Sequence, residues 1–188
     1  MKSLNNVVIL DTETGGLDPL THSLMTIGLV SGDDQHRLEL TVAEPTMVTD
    51  PRALAVNRLD PVAVARDGLS MAETCDRIDA YLLQVHPQGK PMICGHNVAF
   101  DLAFMRRLYT MAGRTVPACF SHRTLDTHTL MWALIAVGKL PASVKGSDAA
   151  FAHFDIAPPD ELRHTALGDA VATRLLLAGL LALMESPS

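Results

Sequence analysis

Two carboxylates near the start of the chain, Asp11 and Glu13, follow the apolar run 7–10 and are separated by one residue. Because side chains alternate along a strand, both carboxylates are expected on one face of it. Two anions on one face repel each other, and a divalent cation that prefers hard oxygen ligands, such as Mg²⁺ or Mn²⁺, would offset that cost. The alternative is a solvated loop after a strand, and this pair alone does not decide between the two.

A second acidic segment contains Asp101, which lies in the first turn of a predicted helix that directly follows a short apolar strand. An acid in a first turn is also favoured by the helix dipole, so Asp101 alone indicates no more than ordinary helix chemistry. Nearby, His96 and Asn97 could cap the helix, while Phe100 fits either the core or a place beside a bound base.

A third acidic segment contains Asp169, which stands at the head of the apolar row formed by Ala172, Leu176 and Leu180 in the last predicted helix. Such an acid is expected to be partly buried, which favours a ligated carboxylate over a solvated one. Five residues earlier, His164 has the chemistry of a general base, although a surface histidine is the more common reading of that residue alone.

The elements that must position these groups follow from hydrophobic periodicity and from turn and capping signals. The run 7–10 predicts a central strand buried on both faces, and Ser70 with Glu73 predicts a capping box at a helix start. Asp126 is interpreted as a helix N-cap. The further predicted strands are 24–30, 37–42, 91–94 and 123–125, and the predicted helices are 71–84, one ending near 111, 127–137, 147–154 and 166–184. This order predicts an α/β layer fold with a mixed sheet.

Composition places limits on these readings. The chain has 188 residues, 48% apolar content and a net charge of -6, which argues against a large duplex-DNA footprint but not against a small nucleic-acid site. Its three cysteines are widely spaced and fit reduced thiols. We therefore expect one domain over residues 1–188, with a core of about 5–184, in a cytoplasmic protein that does not enter a membrane.

Taken in order, the three acidic segments resemble the three exonuclease motifs of the DEDDh (DnaQ-like) family, which includes proofreading epsilon subunits, RNase T and oligoribonuclease. Residues 11–17, with the sequence DTETGGL, are similar to the first motif. Residues 96–101, HNVAFD, are similar to the second, and 164–169, HTALGD, to the third. The four-residue gap between His164 and Asp169 is typical of DEDDh rather than DEDDy members. The ordered motifs cover nearly the whole chain.

The resemblance implies a ribonuclease H-like α/β fold with a five-stranded mixed β-sheet flanked by α-helices, and a 3′→5′ exonuclease that releases nucleoside 5′-monophosphates. It implies two divalent metal ions, Mg²⁺ or Mn²⁺. Asp11, Glu13 and Asp169 would bind the ion nearest the nucleophile. Asp11 would also reach the second ion, which Asp101 would complete directly or through water. His164 would act as general base toward the attacking water.

By the same resemblance, six residues bind the terminal nucleotide. They are Thr14 and Gly15 near the 3′-hydroxyl, Leu17 as a wedge against the last base, and His96, Asn97 and Phe100 around the sugar and phosphate. Other residues are given structural roles: Trp132 is predicted to pack in the core, and Arg106 and Arg107 are predicted on a solvated helix face.

Several alternatives stay open at this point. The motifs do not separate a DNA exonuclease from a ribonuclease, and the expected partners are nucleic-acid 3′ ends in single-stranded DNA or RNA. We expect a free-standing exonuclease rather than a polymerase subunit, and a homodimer is compatible with the apolar helices. A catalytically silent module of the same fold, which binds nucleic-acid ends or a protein, is the alternative from another functional class.

Overall fold

The computed structural model describes residues 4–87, 90–120, 123–156 and 165–185. Its strands are β1 Val7–Thr14, β2 Leu24–Ser31, β3 Arg37–Ala43, β4 Leu69–Ser70, β5 Met92–Gly95 and β6 Thr124–Asp126. Its helices are α1 Pro51–Asn57, α2 Pro61–Asp67, α3 Met71–Val85, α4 Ala99–Met111, α5 Thr127–Ala136, α6 Ser147–His153 and α7 Ala166–Glu185.

Within these ranges the strands form one sheet in the order β4-β3-β2-β1-β5-β6. β1 lies between an antiparallel neighbour, β2, and a parallel neighbour, β5. The mixed α/β sheet flanked by helices is confirmed, but the expected number of five strands is wrong, because β4 adds a sixth. This strand consists of Leu69 and Ser70 and pairs in parallel with β3. Two residues are too few to show an alternating pattern.

The two faces of β1 contact different helices. Even-numbered side chains of the strand point to one face and odd-numbered side chains point to the other. Val8 and Leu10 belong to the apolar cluster that includes α3 and α4. Val7 and Ile9 belong to a second cluster, which includes Leu177 of α7. Since side chains alternate along a strand, the odd-numbered positions of β1 face α7 and the even-numbered positions face α4.

The last helix, α7, is long and apolar enough to cross a membrane by length and composition. In this fold it packs on β1, β2 and α5. Leu176, Leu177 and Leu180 are fully buried, and the first turn carries Asp169. One side of α7 therefore belongs to the core of this fold.

Local signals at the helix starts are confirmed. The capping box at Ser70 and Glu73 is present at the start of α3, and the Asp126 side chain accepts hydrogen bonds from the first turn of α5. The three cysteines are free and buried, as expected.

The expectation of a solvated face for two adjacent arginines on α4 is wrong for Arg107, while Arg106 is exposed as expected. Arg107 forms a largely buried ion pair with Glu44, which follows β3. Arg106 donates from Nε to the carbonyl oxygen of Phe120 at 3.2 Å. Both guanidinium groups therefore connect α4 to segments that are distant in sequence. The periodicity of one helix does not predict such long-range partners.

Candidate metal and catalytic site

Asp11 and Glu13 lie within β1 rather than after it, because the strand continues to Thr14. They occupy odd-numbered positions and so face α7. Asp11 is paired with Gly28 and Glu13 with Thr26 on the neighbouring β2. Both carboxylates are partly buried. The strand thus holds two acids side by side, as the alternation of side chains predicted.

Asp169 reaches this pair because α7 begins directly above the sheet. At Gly28 an added Cβ would lie 2.2 Å from the carbonyl oxygen of Ala166 and 2.5 Å from the amide nitrogen of Leu167. Only a residue without a side chain allows that approach. Asp169 follows within the same first turn, and its backbone N–H donates to Thr165 O at 2.9 Å. Gly28 therefore sets how close Asp169 comes to β1.

The three acids form a compact ligand set. One carboxylate oxygen from each of Asp11, Glu13 and Asp169 lies within 4.8 Å of the other two. Oxygen-only donors this close together fit a hard divalent cation such as Mg²⁺, which is bound at about 2.0–2.1 Å. These are three of the four acids that the sequence analysis predicted as metal ligands.

Asp101 approaches the same centre from the opposite side of the sheet. It lies in the first turn of α4 and is almost completely buried. Its Oδ1 accepts a hydrogen bond from the Thr12 hydroxyl at 2.7 Å. Thr12 occupies an even-numbered position of β1, so its hydroxyl points toward α4. Asp101 is thereby fastened to the strand that carries Asp11 and Glu13.

Burial and mutual repulsion raise the pKa values of these acids. The pKa of Asp11 is raised well above its ordinary value, first by burial and then by the charges of Asp101, Asp169 and Glu13. Burial followed by the charges of Asp169 and Asp101 raises the pKa of Glu13 to about 8. Burial raises the pKa of Asp101 to about 7, against the lowering effect of the Thr12 hydrogen bond. A cluster that holds protons this tightly without a cation is one that a cation would stabilise.

One residue of this neighbourhood, Asn57, was missed by the sequence analysis. It ends α1 and is buried. Its Nδ2 donates to Thr14 O at 3.0 Å, and its side chain also hydrogen-bonds Glu13, which lowers the pKa of that acid. Its Oδ1 accepts from the amide of Leu59 at 3.1 Å. An isolated Asn between two short helices gives no sequence signal for this role.

The residues predicted near the 3′-hydroxyl and the last base lie at the end of β1 and in the loop after it. The Thr14 hydroxyl donates to Gly16 O at 2.8 Å. An added Cβ at Gly15 would lie 2.4 Å from Val48 O, so the backbone packs closely there. Leu17 is 84% exposed. An exposed leucine in the loop after β1 is compatible with the predicted wedge.

The other predicted substrate residues lie where β5 joins α4. Asn97 has a positive φ of 57°, and its backbone N–H donates to Asp126 Oδ1 at 3.2 Å. Phe100 is partly buried against Phe104, with ring centroids 5.0 Å apart. His96 is half-buried, and its pKa is lowered by burial and by the nearby His128, which favours the neutral ring. His164 lies outside the described residues.

A mixed sheet whose central strand carries two acids, with a third carboxylate supplied by a packed helix, agrees with the ribonuclease H-like fold that the resemblance implied. Comparison with known families gives the narrower assignment. The RNase T exonuclease family model matches residues 8–177, and the chain belongs to this exonuclease family.

Sequence relatives carry two kinds of name. A DNA polymerase III subunit epsilon-like protein of Rhodobacter capsulatus is 31% identical over 172 residues, covering 88% of this chain and 22% of the relative. An oligoribonuclease of Nitrosomonas eutropha is 30% identical over 139 residues, covering 67% of this chain and 73% of the relative. The chain thus spans about a fifth of the first relative and most of the second.

Solved structures share the fold at low sequence identity. E. coli exonuclease I in complex with a dA16 oligonucleotide matches with a TM-score of 0.77 and 18% identity, over 95% of this chain and 41% of that chain. Exonuclease I of Methylocaldum szegediense matches with a TM-score of 0.72 and 19% identity, over 97% of this chain and 41% of that chain. The present chain therefore spans about two fifths of these enzymes.

Proposed function

We propose that this chain is a metal-dependent 3′→5′ exonuclease that releases nucleoside 5′-monophosphates from nucleic-acid 3′ ends. The observation that carries the proposal is the trio Asp11, Glu13 and Asp169, whose carboxylate oxygens lie within 4.8 Å of one another in a domain of the exonuclease family. Hydrolysis of a phosphodiester places negative charge on the attacking and leaving oxygens, and acids that gather cations suit that chemistry.

In this proposal the four acids hold two divalent cations, Mg²⁺ or Mn²⁺. Asp11, Glu13 and Asp169 supply oxygen ligands to one of them, and Asp11 with Asp101 supplies ligands to the other. Bound cations would neutralise the charge that develops on the attacking and leaving oxygens. The Thr12 hydroxyl holds the Asp101 carboxylate against β1, and the Asn57 side chain hydrogen-bonds the Glu13 carboxylate.

His164 is proposed as the general base that takes a proton from the attacking water. The proposal rests on the family resemblance and on the four-residue gap before Asp169. A histidine titrates near neutral pH, so it can accept that proton without a large penalty.

The proposed substrate is a single-stranded 3′ end. Exonuclease I of E. coli, which shares the fold, has been solved with dT13 and dA16 oligonucleotides, and other relatives are named oligoribonucleases. Leu17 and Leu20 are exposed in the loop that follows β1, the strand that carries Asp11 and Glu13, and they offer apolar contact to a terminal base. Both DNA and RNA are therefore included in the test.

The test uses short single-stranded DNA and RNA labelled at the 5′ end, with Mg²⁺, with Mn²⁺ or with EDTA. We expect a ladder of products shortened from the 3′ end, release of nucleoside 5′-monophosphates, and no reaction in EDTA. The relative rates on DNA and RNA assign the substrate class. Binding of the oligonucleotides without any metal-dependent shortening would instead support a silent binding module.

Three variants assign the roles. Asp11→Asn removes a charged ligand but keeps the shape, and we expect activity to disappear while the fold persists. Asp67→Asn, at an exposed acid that pairs with Arg66, is the matched control and should keep full activity.

His164→Ala should reduce turnover by about a hundredfold or more, with calorimetric metal affinity nearly unchanged. A large loss of metal affinity in His164→Ala would move this residue into the metal shell.

A further inference from the structure

Trp132 is the one tryptophan of the sequence, and its position contradicts the prediction of core packing. The indole is 47% exposed. The buried row of α5 is formed by Thr127, Met131 and Leu134. Trp132 follows Met131 and therefore projects about a quarter turn away from that row. A large aromatic side chain left this open on a well-packed helix requires an explanation.

The indole is held in place rather than loosely exposed. Its Nε1–H donates to Nε2 of His128 at 3.0 Å, one helical turn earlier. The two rings meet edge to face, with centroids 6.3 Å apart and an interplanar angle of 83°. Because Nε2 of His128 accepts a hydrogen bond, the neutral ring carries its proton on Nδ1. A fixed aromatic ring loses little conformational freedom when a second ring stacks on it.

His128 extends this arrangement toward the candidate metal site. Its ring lies 5.3 Å from the ring of His96. His96 follows the end of β5, which pairs in parallel with β1 as far as Cys94 and Ile9, so His96 and Asp11 lie at the same end of these two strands. The Thr127 hydroxyl donates to Gly95 O and lies 3.1 Å from Nδ1 of His96, which anchors this first ring. We call His96, His128 and Trp132 the ring row.

The charge distribution indicates how a nucleic-acid strand could be held here. The chain carries a net charge of -6. Five arginines are already paired with carboxylates, namely Arg37, Arg66, Arg107, Arg114 and Arg174. Guanidinium groups engaged in this way contribute less to phosphate binding. Base stacking on aromatic side chains is an alternative source of affinity that does not depend on base identity and needs no net positive charge.

We propose that the ring row is a stacking subsite for single-stranded nucleic acid, in which Trp132 receives a base of the strand a few nucleotides before the 3′ end that enters the carboxylate site. The inference rests on the proposed exonuclease function. His128 acts as a positioning residue that holds the indole, and His96 connects the row to the site. An exposed tryptophan also suits a protein interface, but the continuity of the row with the carboxylate site favours a strand as its occupant.

The first test uses the fluorescence of Trp132, which reports on this position alone because the chain has no other tryptophan. Oligothymidylates are added in Ca²⁺, after a check that they stay intact. We expect saturable quenching by an octamer and little quenching by a dinucleotide, which is too short to reach both the carboxylate site and Trp132. Equal quenching by both lengths, or none by the octamer, would overturn the proposal. So would an emission change that follows protein concentration alone.

The second test is kinetic. In Trp132→Ala we expect KM for an octamer to rise by roughly tenfold, with kcat little changed and dinucleotide cleavage unaffected. Trp132→Phe keeps an aromatic face and should retain most of the octamer affinity. Val137→Ala, at an exposed apolar residue that follows the same helix, is the matched control and should behave like the natural chain.

The outcomes separate the two proposals. If the natural chain cleaves neither octamer nor dinucleotide in Mg²⁺ or Mn²⁺, the exonuclease function fails. If both are cleaved, but Trp132→Ala and Trp132→Phe leave KM for the octamer unchanged, the exonuclease stands and the stacking subsite is wrong. The quenching measurement needs no variant, so poor folding of Trp132→Ala would not prevent a decision.

Discussion

At the scale of single residues, Asn57 links the end of α1 to the carboxylate cluster. Its amide group is buried and contacts both Glu13 and the Thr14 carbonyl, while its oxygen accepts from Leu59. The amide is therefore oriented by its backbone partners, and it presents an N–H to the acid. Hydrogen bonds to a charged group contribute more than neutral ones, typically about 1.5–3 kcal/mol.

We predict that Asn57→Ala lowers kcat/KM by about tenfold or more without abolishing folding. The loss of the amide leaves Glu13 with one donor fewer, so its pKa should rise further and metal binding should require a higher pH. The measurement is the pH profile of kcat/KM, whose acidic limb should move to higher pH. An unshifted profile with a lower plateau would reduce Asn57 to a purely structural role.

At the scale of elements, the placement of α7 on the sheet decides whether Asp169 joins the other acids. The contact point is Gly28, opposite Asp11, where the backbone of Ala166 and Leu167 occupies the space of a side chain. A methyl group there meets backbone atoms, which cannot rotate away as a flexible side chain could. The start of α7 would have to move outward.

We therefore predict that Gly28→Ala separates Asp169 from β1 and reduces activity by at least tenfold, with weaker metal binding and a lower thermal midpoint. Gly146→Ala is the matched control, since no atom of the described residues lies within 4 Å of its added Cβ and its φ of -137° suits any residue. Calorimetric metal titration and thermal unfolding of both variants decide the point. Equal metal affinity in the two would show that the close approach is not required.

The strands and helices also show which parts of the fold the sequence pattern alone predicts. The strands β2 and β3 and the caps at Ser70 and Asp126 were predictable, because apolar runs and capping signals are local properties. β1 was expected to end near residue 10, but pairing with β2 extends it through polar residues as far as Thr14. Strand propensity depends on neighbours that a single sequence does not reveal.

Some features of the candidate site were also predictable from the sequence, and others were not. Asp11 and Glu13 were placed on one face by the period of a strand, and their approach to Asp169 followed from the family motifs. The roles of Asn57 and Gly28 depend on contacts between segments far apart in sequence, for which no local pattern exists. Trp132 was misassigned because an apolar stretch along α5 does not tell which side of the helix faces the core.

At the scale of the whole molecule, the crowded acids make the stability of the metal-free protein depend on pH. The ordinary pKa of a glutamate is 4.5, and that of Glu13 in the fold is about 8. Between these values the folded chain retains a proton that the unfolded chain releases. Asp11 and Asp101 act in the same direction, since their pKa values are also raised. Folding then takes up protons, so the free energy of unfolding falls as pH rises through this window.

We predict that, in EDTA, the free energy of unfolding from urea titrations decreases between about pH 6.5 and 8, above the range where histidines with lowered pKa values such as His96 oppose the trend. Glu13→Gln removes one of the titrating groups and should flatten the decrease. Mg²⁺ binds the folded, deprotonated acids, so its stabilising effect should grow over the same pH range. A flat profile in EDTA, or an unchanged slope in Glu13→Gln, would mean that repulsion among these acids is relieved by the protein itself and that no cation is needed to hold them together.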